Sequence, residues 1–363
     1  MNRQRYRQAI LTAGLALSAL SVGIQSAEAQ RGAPSLGATN DSIETFTYGP
    51  CNGPSLYQAV DGTSASYASC YHNWGLTYAN SVVIFSRTAA ERNGALGNPM
   101  PTGNPDATNV AQAGLKRLLL AAGVATVTIA ETTSSIPGQG STAGAVVFLD
   151  NSGDALWDHG KSVTPASNTV STTTSAFTTQ GYVNLRQYLR QGGGFVAIHN
   201  AVGTERNWNY YVGLLGNAST YDSAAIQPGT VQIEASDSST VGVGSPGTQF
   251  ALGTAGVGGD TFYNLVPYPT NVKYLATVLE GSLTTKKSVH PGHGVFHPVA
   301  WCQYYDGGRA WVTTLGQDPR LWADLSLPIN QPGGANYFPG AAQFQSMVVN
   351  GVLSAMGKVP FCT

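Results

Sequence analysis

Between residues 81 and 199, short runs rich in Val, Ile and Phe alternate with stretches of helical period, and no other feature narrows the possible folds as much. Residues 81–86, 126–130 and 145–149 read as buried strands, the last running into Asp150 as strands aimed at an active-site edge often do. A helix over 109–122 lies between the first two, with Val110, Gly114, Leu118 and Ala121 on one face. A second helix over 182–191 is stopped by Gly192-Gly193-Gly194, and Phe195-Val196-Ala197-Ile198-His199 follows as the most apolar strand. Such alternation predicts βαβ units, hence an α/β fold with a doubly wound, mostly parallel sheet covered by helices on both faces. Further on, a helix is expected around 208–215, β-rich pieces at 230–235, 272–279, 297–305 and 309–315, and a final helix over 341–356. Residues 161–180 (Ser/Thr-rich) and 236–261 (Gly-rich, apolar-poor) read as surface excursions.

Charged residues make up only 10% of the 363-residue chain, against roughly 25% in an ordinary soluble domain. The 18 basic and 19 acidic groups nearly cancel, which excludes a nucleic-acid partner held by clustered Lys and Arg. A content of 42% hydrophobic residues excludes a disordered chain. Arg3, Arg5 and Arg7 precede an apolar run over 9–24, and Ala27-Glu28-Ala29 supplies small residues at alternate positions. That order predicts a signal peptide over 1–29, a secreted or periplasmic mature protein, and no membrane attachment after cleavage. Removing three Arg and one Glu would leave 15 basic and 18 acidic groups, a net charge of −3. The Gly/Ser/Pro/Tyr-rich residues 30–79 read as an N-terminal extension, 80–357 as the folded domain and 358–363 as a tail.

Export makes the four cysteines readable as bridges, with three pairings possible. The expected pairing is a local Cys51–Cys70 clip plus a Cys302–Cys362 staple on the C-terminal tail; the alternative is Cys302 as a catalytic thiol. His199 ends a central strand, where ligands of open α/β sheets bind, and an imidazole there can transfer protons near neutral pH. Glu205, six residues on, is the expected orienting carboxylate. A strand-end His can equally be a structural hydrogen-bonding residue. His290, His293 and His297 could ligate a metal ion, although Pro291 and Gly292 place them on a loop. Arg309 opens a strand after a tight turn and is either a substrate contact or a structural partner of that turn. Trp208, Tyr210, Tyr211, Tyr263 and Trp301 include possible sugar-stacking platforms, with core packing the simpler reading for Tyr211 and Trp301.

Several ordered blocks together resemble the ThuA-like (trehalose utilisation) family. They are Val82-Val83-Ile84-Phe85-Ser86-Arg87-Thr88, the 192–199 strand, Trp208-Asn209-Tyr210-Tyr211-Val212-Gly213-Leu214-Leu215-Gly216, Phe262-Tyr263-Asn264, His297-Pro298-Val299-Ala300-Trp301-Cys302, Asp306-Gly307-Gly308-Arg309 and Thr314-Leu315-Gly316. The resemblance implies a flavodoxin-like fold of the class I glutamine amidotransferase type over residues 80–357. Amidotransferases carry a nucleophilic Cys on a sharp turn where this chain has His199, so no thioester can form and glutamine hydrolysis is not implied. Three departures stand out. The family's Phe-Arg-His is Glu91-Arg92-Asn93 here, its Asp-Glu before the Tyr is Asp260-Thr261, and its Leu-Gly-His is Leu315-Gly316-Gln317. Amides keep hydrogen-bonding capacity but cannot accept a proton and bind transition metals poorly.

The resemblance leads to an exported protein acting on a small neutral carbohydrate or keto-sugar, with no cofactor. His199 and Glu205 are its expected acid/base pair. Asn93, Trp208, Asp260, Tyr263, His297, Arg309 and Gln317 are its expected substrate contacts. Two alternatives stand beside it: a sugar-binding protein with a degenerate site, and a hydrolase with a metal on His290, His293 and His297.

Overall fold

The computed structural model describes residues 77–100, 103–157, 161–163, 170–172, 180–223, 225–284, 292–327 and 338–363. The expected leader, nearly all of the N-terminal extension, the Cys51–Cys70 clip and His290 lie outside them. The strands are β1 (Ser81–Phe85), β2 (Thr126–Ala130), β3 (Ala145–Leu149), β4 (Lys161–Val163), β5 (Val170–Thr172), β6 (Gly194–Ile198), β7 (Thr220–Ser223), β8 (Gly229–Ile233), β9 (Gln249–Leu252), β10 (Tyr263–Leu265), β11 (Lys273–Val278), β12 (His297–Tyr305) and β13 (Gly308–Thr313). The α-helices are α1 (Val110–Ala121), α2 (Gln180–Arg190), α3 (Asn209–Leu214) and α4 (Ala341–Ala355).

Nine strands form one sheet in the order β2-β1-β3-β6-β13-β12-β11-β8-β9. The first five pair in parallel, and every later pairing is antiparallel. The class is therefore α/β as expected, with a mixed sheet whose parallel half holds the predicted βαβ strands. Side chains alternate across it. Val196 and Ile198 belong to a core with Leu115 and Leu119 of α1 and Phe344, Val348 and Val352 of α4. Phe195 and Ala197 pack on the other side with Tyr182, Leu185 and Tyr188 of α2 and Tyr211 and Leu214 of α3. Helices thus cover both faces, and burying each of these large apolar side chains contributes about 1.5–3 kcal/mol.

The glycine run before β6 has a packing cause. Gly192 adopts φ 100° after α2, and a Cβ on Gly194 would stand 2.3 Å from the Ala355 carbonyl oxygen at the end of α4. Close approach of two helices to the start of the strand therefore selects glycine.

Three sequence expectations need correction. The buried face of α1 is Ala111, Gln112, Gly114, Leu115 and Leu119, because Trp322 packs on Gly114; Val110 and Leu118 are only partly buried and Ala121 is exposed. Residues 236–261 are no mere excursion: they contain the edge strand β9 and the fully buried Asp260. The Ser/Thr-rich stretch includes the β4–β5 pair. The Cys302–Cys362 bridge is present, so Cys302 is no free thiol, and no helix among the described residues is long and apolar enough to cross a membrane.

Candidate functional site

Three neighbouring parallel strands end in one row. Leu149 of β3 and Thr313 of β13 both pair with Ile198 of β6, so Asp150, His199 and Thr314 follow side by side at the carboxyl edge. Asp150 and His199 both turn there in the left-handed region, at φ 57° and 54°. Left-handed backbone is strained for non-glycine residues and concentrates at functional sites. His199 therefore stands on a sharp turn at the carboxyl end of β6.

The imidazole is 1% exposed and bonded at both nitrogens. Nδ1 lies 2.9 Å from the Thr314 carbonyl oxygen and Nε2 lies 2.5 Å from Gln317 Oε1 and 3.2 Å from the Tyr263 hydroxyl. Two fully buried carboxylates flank it, Asp150 Oδ1 at 3.8 Å from Nε2 and Asp260 Oδ1 at 3.8 Å from Nδ1. Burial pushes the imidazole pKa down, but Asp150 and Asp260 push it up further, so it lies above the ordinary value. Burial also raises Asp150, and lifts Asp260 to about 6 despite the opposing His199 charge.

Asp260 is held by the backbone amides of Thr261, Gly316 and Gln317. Gly316 permits this at φ 138°, and a Cβ there would come within 3.2 Å of His199 Cβ. Asn93, in the loop after β1, caps a 3₁₀ turn through Oδ1 and donates from Nδ2 to Gln317 Oε1 at 3.2 Å. The structure thus joins Asn93, His199, Asp260, Tyr263 and Gln317, all named from sequence.

Glu205 does not join them. Its carboxylate turns toward α2, accepting from the Leu156 amide and the Tyr182 hydroxyl, each at 2.7 Å. Asp150 and Asp260 instead flank the imidazole. Asp150 was legible only as a strand-end acid, and Asp260 is separated from His199 by too much chain for spacing to reveal the contact. Burial lifts the Glu205 pKa to about 7. A carboxyl raised above its unfolded value binds more protons when folded, so its contribution to stability declines as pH rises from about 4.5 to 7. Glu205→Gln should flatten that decline, by a few kcal/mol between pH 5 and 8 in urea titrations.

Three other expected contacts lie elsewhere. Trp208 is buried against Tyr182, Tyr210 and Tyr211, leaving no face for a sugar. Arg309 pairs with Gly194 at the start of β6, the opposite edge from His199, and donates to the Ala355 carbonyl at 2.6 Å. Arg309→Ala should therefore lower stability by about 1 kcal/mol and leave any His199-dependent activity within twofold, as denaturation and rate assays would check. His297 sits behind the Tyr263 backbone, bonded to the Tyr263 carbonyl and to Glu280. With its nitrogens engaged and His293 Nε2 accepting from the Leu265 amide, the described part of the histidine cluster does not converge on a metal. Among the described residues, no group of three His, Cys, Asp or Glu could hold one.

The family model for ThuA, described as trehalose utilisation, matches residues 142–327, just over half of the chain. The chain belongs to the ThuA family. The matched span includes Asp150, His199, Asp260, Tyr263 and Gln317 and leaves Asn93 outside. Among solved structures, a protein described as ThuA-like from Bacteroides uniformis ATCC 8492 aligns with 76% of this chain and 93% of its own, at 16% identity and TM-score 0.49. Another so described, from Parabacteroides merdae ATCC 43184, aligns with 77% of this chain and 91% of its own, at 14% identity and TM-score 0.48. A β-galactosidase from Bacillus circulans sp. alkalophilus aligns with 77% of this chain and 31% of its own, at 10% identity and TM-score 0.37. No curated protein matches the chain.

Proposed function

We infer that this ThuA-family chain is an exported protein acting on a small neutral carbohydrate or a keto-sugar, with His199 transferring protons. The observation carrying this reading is the imidazole between two buried carboxylates at the end of a central parallel strand. Around it stand the neutral groups of Asn93, Asn200, Tyr263 and Gln317, which suit hydroxyl and carbonyl oxygens. The family description, trehalose utilisation, supports a sugar. The leader expected over 1–29 from its Arg-then-apolar order supports a secreted or periplasmic location, and the low charge fits a neutral partner. Our reading of the core is a doubly wound, class I glutamine amidotransferase-like arrangement, supported by the strand order β2-β1-β3-β6-β13. With His199 in place of a Cys, amidotransferase chemistry is no part of it.

Screening the mature protein on glycosides and their 3-keto derivatives tests the reading. Turnover of at least one keto-sugar is expected, with near-complete loss in His199→Ala; turnover surviving that substitution at the wild-type rate would contradict it. A sugar-binding role without catalysis is favoured by one observation, the Gln317 amide seated on His199 Nε2. Calorimetric binding by a wild-type protein that turns nothing over would establish that second reading.

A further inference from the structure

We propose that His199 is held doubly protonated as the proton donor of this site, and that Asp150 is its proton acceptor. The assignment rests on the proton-transfer reading above and goes beyond it by fixing which group gives and which takes.

The hydrogen-bond partners of His199 point to a proton on each ring nitrogen from three directions. At Nδ1 the partner is the Thr314 carbonyl, which can only accept, so Nδ1 carries a proton. At Nε2 the first chain begins with the Ala95 amide, which donates to Asn93 Oδ1 and so orients that amide. Asn93 Nδ2 then donates to Gln317 Oε1, which orients Gln317, and the atom facing Nε2 is an oxygen acceptor. A second chain is independent of the first. Asn200 Nδ2 donates to the Asn151 carbonyl, so Asn200 Oδ1 accepts the single Tyr263 hydroxyl proton. The Tyr263 oxygen is left to accept from Nε2. Every neighbour of both nitrogens is thus an acceptor, and the imidazolium is the one form that satisfies them all. Its charge faces Asp150 on one side and Asp260 on the other. Arg92 lies on the Asp150 side, and Arg206 and Glu91 act on Tyr263 from the rim.

The two carboxylates are not equivalent. Asp260 spends its oxygens on three backbone amides, so it positions and compensates the imidazolium. Asp150 is held more loosely: the Asn200 backbone amide stands 3.4 Å from Oδ1, the Asn93 side chain is a further hydrogen-bonding neighbour, and its buried Oδ2 has no hydrogen-bond partner. An unsatisfied buried carboxylate oxygen beside a proton donor calls for a ligand hydrogen. Gln317 Oε1, an sp² carbonyl oxygen on Nε2–H, occupies the position a substrate carbonyl would take.

At a keto-sugar the step balances. Asp150 takes the proton from the carbon beside the carbonyl, and the C–H pair becomes the C=C bond of an enol. The carbonyl π pair forms an O–H bond with the proton from His199 Nε2. Asp150 and His199 both end neutral. Reversal after exchange of the Asp150 proton with solvent labels that carbon in heavy water.

Nitrogen-15 NMR of histidine-labelled wild-type protein tests the first half without a variant or a sugar. Both His199 nitrogens should show the imidazolium signature at pH 7; a neutral single tautomer would overturn the proposal. Deuterium incorporation into a 3-keto-disaccharide in heavy water tests the second half. Asp150→Asn should lose at least about 10²-fold in exchange rate while calorimetry shows sugar still bound. Exchange at the wild-type rate in that variant would overturn the role of Asp150. No exchange by the wild type on any keto-sugar would instead sink the keto-sugar reading and the Asp150 step together, while leaving the His199 charge state measured.

Discussion

Replacing His199 by glutamine should destabilise the folded protein by about 3–5 kcal/mol and lower proton-transfer activity about 10²–10⁴-fold. The stability loss arises because the imidazole carries the opposite charge that faces two fully buried carboxylates, each 3.8 Å away. Removing one partner of a buried charged cluster leaves the others uncompensated, and that costs more than the cluster itself contributes. The pH dependence carries a sign. A histidine raised above its unfolded value contributes fully below about pH 6.5, and the contribution fades as pH climbs through the raised native value. The gap between wild type and His199→Gln in urea denaturation should therefore be widest at pH 6 and narrow toward pH 9. A gap that widened with pH would mean that His199 is buried neutral.

The second large effect concerns the tail. Cys362→Ser should cost about 4 kcal/mol, since the bridge closes a sequence separation of 60 residues in the unfolded chain. Cys302 is buried within β12, and the tail it anchors packs Phe361 against Tyr304 and bonds the Thr363 amide to Asp237. These contacts sit beyond β13 from the His199 row, so activity per folded molecule should hold at low temperature. Urea midpoints of wild type and variant decide it: a drop is expected, and coincident curves would show that the tail contacts suffice alone.

The sequence was legible where local physics decides. Alternating β-runs and helices gave the parallel half of the sheet within a residue or two, because buried strands and a glycine-stopped helix write themselves into composition. It was misleading where tertiary contacts decide. In α1, apolar residues at 115, 118, 119 and 120 permit more than one buried face, and only the Trp322 contact selects the one observed. Strand β9 was invisible, since the edge strand Gln249–Leu252 buries only Leu252. Nearness along the chain suggests a Glu205–His199 pair, but a left-handed turn at φ 49° and the Tyr182 hydroxyl hold Glu205 elsewhere. Arg309 begins a strand parallel to β6, so it belongs to the edge His199 leaves behind. Asp150, by contrast, was readable as the residue just past an apolar strand, the same signal that identified His199.

Imidazole NMR during titration with a 3-keto-disaccharide tests the central claim most directly, because it asks whether a neutral sugar reaches His199. The His199 Nε2 signal should move and saturate as sugar replaces Gln317, while His293 and His297, bonded to backbone and Glu280, stay still. A sugar that binds without moving His199 would place the site elsewhere and contradict the account.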